Sequence, residues 1–148
     1  MLKKYCRLLV LAERNTMSVT LQVRRNITVN ALQSAFNDAY PFLKIELYKF
    51  STRGQFEGGR VKLVPSALLG TSVIDEGDLS VFDSMTVGQL EEIFCQKFGV
   101  VLQVSRKSGS VWLETTMTDS WTLKQQNDHG RELSEPASTS LPTNGAKD

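Results

Sequence analysis

The chain has 148 residues, 41% of them hydrophobic, with 17 basic and 16 acidic side chains and a formal charge of +1. That length holds one domain or two small ones, with enough apolar surface for a core. No apolar run approaches the roughly 20 residues that a bilayer span needs, so no membrane partner is expected.

Charge is unevenly spread. Residues 1–62 carry 11 basic and 4 acidic side chains and the remainder 6 and 12, so the halves are +7 and −6. The asymmetry permits a nucleic-acid face on the first half. It equally permits the halves to attract each other, within one chain or as self-association between chains. The opening MLKKYCRLLVLAERN has two lysines before apolar residues, but Arg7 interrupts the run and Glu13-Arg14-Asn15 offers no cleavage site. It reads as an arm or strand, with Met17 as an alternative start. Cys6, Cys95 and the lone His129 are too few for a zinc site. Cys95 falls among apolar helix neighbours and reads as a buried free thiol rather than a disulfide or metal ligand. This cysteine usage suits a reducing compartment, so a cytoplasmic location is expected.

In chain order, Ser18–Val23 alternates apolar and polar residues and predicts a strand. Val29, Leu32, Phe36 and Tyr40 form one helical stripe, with Thr28 as N-cap, Ile27 as staple and Pro41 as terminator. Leu43–Phe50 predicts the next strand, 51–59 a loop and Val61–Val64 a short strand. Residues 67–78 read as an irregular connection with one helical turn near Leu68-Leu69. Leu79–Phe82 predicts a strand leading into a second helix, where Thr86 and Gln89 make a capping box, Met85 a staple and Gly99 a left-handed terminator. Val87, Leu90, Phe94 and Phe98 are its apolar stripe. Val101–Arg106 and Val111–Thr116 predict a hairpin closed by Lys107–Ser110. Residues 122–127 predict a short helical turn. From 131 to 148 the chain has too little apolar surface to offset ordering entropy and reads as a disordered tail.

A shift of 58 places Leu21 on Leu79, Thr28 on Thr86, and Leu32, Phe36 and Tyr40 on Leu90, Phe94 and Phe98. One inserted residue later, Leu43 and Ile45 fall on Leu102 and Val104. Agreement in cap, stripe and following strand predicts two tandem strand–helix–strand copies.

The second copy, with Thr86-Val87, Leu90, Gly99, then Thr122-Leu123 and Asn127, resembles the ubiquitin-like β-grasp order of elements. Residues 27–130 are also similar to a group of small uncharacterised bacterial proteins. The resemblance implies an α+β fold of two tandem β-grasp-like units with short mixed sheets. They would lie at 1–66 (with the arm) and 79–130, joined by 67–78. No strand is visible after Asn127 and no Gly-Gly follows it, so conjugation chemistry does not carry over.

Few residues suggest chemistry. Ser108 and Ser110 lack a histidine partner, and Asp75, Glu76 and Asp78 lack the spacing of a calcium loop. Gly58-Gly59 lacks a nucleotide-binding context. The chain is therefore read as non-catalytic, with no cofactor or metal. The leading expectation is a protein-binding or adaptor module, using an exposed sheet edge or a face carrying Trp112, Glu114, Arg106 and Lys107. The alternative is a nucleic-acid-binding accessory protein using Arg24, Arg25, Lys44, Lys49, Arg53, Arg60 and Lys62, interleaved with Tyr48, Phe50 and Phe56. Of Trp112 and Trp121, one is expected in the core.

Overall fold

The structure, a computed structural model, describes residues 18–50 and 59–136. Its strands are β1 (Ser18–Val23), β2 (Leu43–Phe50), β3 (Arg60–Lys62), β4 (Gly77–Phe82), β5 (Val101–Ser108) and β6 (Val111–Glu114). Its helices are α1 (Val29–Ala39), α2 (Val87–Phe98) and α3 (Leu123–Ser134), with short 3-10 turns at Gly70–Ser72 and Thr116–Thr118. The fold is mixed α+β.

The helices begin and end where local chemistry places them. Thr28 and Thr86 accept hydrogen bonds from the N–H groups of Ala31 and Gln89, and Gln89 completes a capping box on Thr86. Ile27 and Met85 pack against the core, as staples require. Helix α2 stops at Gly99, whose φ of 74° is costly for any residue with a Cβ.

The sheets correct the expectation of mixed sheets, one per unit. Both are antiparallel, and each is built by strands from both copies. β1 pairs with β4, while the larger sheet runs β3-β2-β5-β6. Leu21 faces Leu79 in the first sheet, and Ile45 faces Val104 in the second. These are the repeat-equivalent residues themselves, so a pseudo-twofold axis passes through both pairs. Apolar alternation fixes which face of a strand is buried but not which strand lies beside it.

The repeat also extends further than expected. In the first copy, the N–H groups of Val29, Asn30 and Leu69 donate to the carbonyls of Ala67 (2.9 Å), Pro65 (2.9 Å) and Ile27 (2.9 Å). In the second, those of Val87, Gly88 and Leu123 donate to Trp121 (3.1 Å), Asp119 (2.8 Å) and Met85 (2.8 Å). The stretch 65–69, of which 67–69 falls in the expected connection, is therefore the first copy's counterpart of 119–123, with buried Leu69 matching buried Leu123.

One apolar cluster joins the copies: Leu21, Leu32, Phe36, Ile45 and Leu47 from the first meet Val81, Leu90, Phe94, Leu102 and Val104 from the second. Each such side chain contributes about 1.5–3 kcal/mol on full burial. Two ion pairs also join the oppositely charged halves: Arg24 to Asp78 at 2.8 Å and Arg25 to Glu76 at 3.9 Å. Both are exposed and secondary to the core.

Helix α3 is longer than the expected turn and runs through residues assigned to the tail. Its buried face is largely polar (Leu123, Gln126, Asn127 and Gly130), which hides it from an apolar count. Asn127 Oδ1 accepts from the Phe42 N–H at 2.9 Å, and Gln126 Oε1 accepts from Arg106 Nη1 at 2.8 Å. These bonds seat α3 on the larger sheet.

Candidate functional site

Leu43, Ile45 and Leu47 of β2, with Leu102 and Val104 of β5, turn one face of the larger sheet to the core. Strand alternation sends their neighbours to the opposite, outer face. There Lys44, Ser105 and Glu114 lie in one cross-strand row, and Lys107 and Trp112 in the next. Glu46 is the electrostatic centre of this face. Lys62 Nζ stands 2.9 Å from its Oε2, Lys44 Nζ 3.2 Å from its Oε1, and the Tyr48 hydroxyl donates to Oε2 at 3.1 Å. Burial pushes its carboxyl up, but these donors outweigh burial and hold it below the ordinary carboxylate range. Lys44 Nζ also lies 5.1 Å from the centre of the Trp112 ring.

The structure brings together part of each expected residue set. Trp112, Glu114 and Lys107 share the outer face with Lys44, Arg60 and Lys62. Arg106 does not join them, because consecutive strand residues point opposite ways. It lies beneath α3, bonded to Gln126 and 5.9 Å from the Trp121 ring. Arg24 and Arg25 lie at the end of the two-stranded sheet, held by Asp78, Glu76 and the Ile74 carbonyl. Lys49 points away from the outer face, and Arg53 and Phe56 lie outside the described residues. The expected basic residues thus do not form one surface. Neither tryptophan is in the core: both are half-buried, with Trp121 5.5 Å from the His129 ring.

Two grooves flank the outer face, each between a helix and the sheet. The α1 groove, about 440 Å³, is lined by Asn30, Gln33, Ser34 and Asn37 with Lys44, Lys62 and Trp112. The α2 groove, about 650 Å³, is lined by Gly88, Glu91, Glu92 and Cys95 with Tyr48, Phe50 and Arg60, and with Glu114 and Asp119. A shift of 58 converts the first four helix residues into the second four, so the grooves are copies of each other. The helix side of the first carries the amides Asn30, Gln33 and Asn37, and its sheet side Lys44 and Lys62 with Glu46; the second carries four carboxylates and Arg60. Glu91 accepts the Val104 N–H at 3.1 Å. Burial, with Asp119 and Glu114 nearby, pushes its carboxyl up despite this bond and the Arg60 charge. Read alone, Glu91-Glu92 passes for a solvent pair and Cys95 for a core thiol. The repeat alignment was the available signal, since it sets Glu91 against Gln33 and Cys95 against Asn37.

The outermost strands, β3 and β6, are likewise related by the pseudo-twofold. β3 reads Arg-Val-Lys, with charges flanking its valine, a pattern that discourages edge pairing. β6 reads Val-Trp-Leu-Glu, with Val111 and Leu113 about half exposed at 53% and 45%.

Among the described residues, no group of three or more His, Cys, Asp or Glu side chains could hold a metal ion, and no helix is long and apolar enough to cross a membrane. Comparisons with protein-family models, curated proteins and solved structures find no match.

Proposed function

We propose that this chain is a non-catalytic protein-binding module whose docking element is the outer edge of β6, which pairs with no further strand among the described residues. The observation that carries this reading is the contrast between the two repeat-related edges: β3 has a cation on each side of its valine, and β6 has no cation at all. Arg106 and Leu113 are a ladder pair, as Arg106 turns its peptide groups away from β2 towards β6. By alternation, the peptide groups of Trp112 and Glu114 point outward, where an extended partner segment would add as a further strand. The Trp112 ring, stiffened by Lys44, supplies the apolar anchor. The reading takes the protein as cytoplasmic, supported by the free thiol of Cys95. The β-grasp-like order of the second copy is part of the same proposal and supplies a scaffold without an activity.

The nucleic-acid reading has less support, because Arg24, Arg25, Lys44 and Lys62 are each engaged by a carboxylate. The test compares two variants at one position in partner capture. Trp112→Ala removes the ring, whereas Trp112→Pro also removes the outward N–H and leaves the ladder bonds of Val111 and Leu113 intact. Edge pairing predicts that Trp112→Ala weakens capture and Trp112→Pro abolishes it. Equal effects would show that the strand edge is not used.

A further inference from the structure

The two grooves differ in one more respect. At the Ile45–Val104 rung, the peptide groups face away from the partner strand: the Ile45 carbonyl accepts from Gln33 Nε2 at 2.9 Å, and the Val104 N–H donates to Glu91. Alternation makes the same true of Leu43 and Leu102, which are repeat equivalents. In the first copy, Asn37 Nδ2 closes the Leu43 carbonyl at 2.9 Å. In the second copy Cys95 stands in the place of Asn37, and a thiol has no amide N–H to offer. No hydrogen bond closes the Leu102 carbonyl among the described residues. Leu102 has its side chain in the core, and the residue also lines the α2 groove, on the side to which strand alternation turns its peptide groups.

We propose that the α2 groove binds an extended polypeptide segment bearing lysine or arginine, whose backbone N–H pairs with the Leu102 carbonyl and whose cations meet Glu91, Glu92, Glu114 and Asp119. Tyr48 and Phe50 on the sheet side provide aromatic surface for the stem of a lysine or the plane of a guanidinium. Among the described residues, the groove sets one cation, Arg60, against these four carboxylates. Burial is the main reason the Glu91 carboxyl is raised, and the charge of Arg60 offsets it only in part. The related α1 groove is less suited to such a segment, because its helix offers amides already spent on the β2 carbonyls and its sheet side carries a single carboxylate, Glu46, already paired with Lys44 and Lys62. This site is separate from the β6 edge, which it touches only at Glu114.

The test is a fluorescence polarisation titration of the full chain with a short fluorescein-labelled peptide of alternating lysine and valine. A second peptide with glutamate in place of lysine serves as the charge control. The lysine peptide is expected to bind and the glutamate peptide not to. Cys95→Asn restores the amide that closes the equivalent carbonyl in the first copy, and should weaken binding by on the order of fivefold to tenfold. Glu91→Gln combined with Glu92→Gln should weaken binding at least as much and flatten its salt dependence. Far-ultraviolet circular dichroism establishes that each variant is folded. Equal binding of both peptides, or no effect of a folded Cys95→Asn variant, would overturn the proposal. Trp112→Pro keeps this site apart from the β6 reading: the groove predicts no change in lysine-peptide binding, and loss there would move the peptide to β6 and overturn the groove.

Discussion

Leu21 and Leu79 face each other across β1 and β4, and they occupy the same position in the two copies of the repeat. The Ile45–Val104 pair repeats this relationship in the larger sheet. A tandem duplication of separate units would have kept each unit's strands together. Here each copy completes the other's sheets, so neither copy has a core of its own.

Interlocking has a thermodynamic signature. Both tryptophans lie in the second copy, and Trp121 sits beside Arg106 and His129 of that copy, so its fluorescence follows the second copy. Leu32→Ala in the first copy is expected to lower stability by about 2–5 kcal/mol, the usual range for a buried Leu-to-Ala change. Urea unfolding followed by tryptophan fluorescence and by circular dichroism should show the same shift in one transition. A fluorescence transition unmoved by Leu32→Ala would mean that the copies fold separately.

Gly130 lies within α3, where Gly-to-Ala usually stabilises by up to about 1 kcal/mol. An added Cβ here would meet Phe42 Cβ at 2.9 Å and Arg106 Cγ at 3.1 Å. Gly130→Ala is therefore expected to destabilise, because α3 must lift from the sheet and strain the Asn127 bond to Phe42. Thermal melts read the sign directly.

Gly99→Ala should also destabilise, for two reasons that add. The φ of 74° disfavours a side chain, and the new Cβ would lie 2.9 Å from Ile74 Cγ2. The expected loss exceeds the roughly 1 kcal/mol of a simple terminator change, measurable in urea.

Much of the fold was legible because its signals are local. Thr28, Thr86, Pro41 and Gly99 mark helix ends by their own chemistry, and period-two alternation marked β1, β2 and β5. Strand partnership was not legible: Leu21 had to be buried, but nothing local says that Leu79 lies opposite. Helix α3 was shortened because Gln126 and Asn127 are buried through hydrogen bonds, which an apolar stripe does not show. The outer-face residues Trp112, Glu114 and Lys107 were legible as a set, while Arg106 was misplaced by one residue of alternation. The α2 groove was missed because its residues lie far apart in the chain.

Glu46 and Glu91 predict opposite pH behaviour. The carboxyl of Glu46 is lowered in the folded protein, so its contribution is present above the ordinary carboxylate range and fades as pH falls through the lowered value. The carboxyl of Glu91 is raised, so its burial as an anion opposes folding near neutrality, and the opposition is relieved as pH falls through the raised value. Glu91→Gln should therefore stabilise at neutral pH and lose that advantage in acid. Glu46→Gln should destabilise at neutral pH, with a deficit that shrinks in acid. Urea midpoints across a pH series test both.

The most direct test of the binding reading is capture of partners by the tagged full chain from native lysate, divided into nuclease-treated and untreated portions and washed in raised salt. A protein module predicts the same partners in both portions, retained in salt and released by Trp112→Pro. Partners that vanish on nuclease treatment, with binding that falls steeply as salt rises, would contradict it and restore the basic first half as the site.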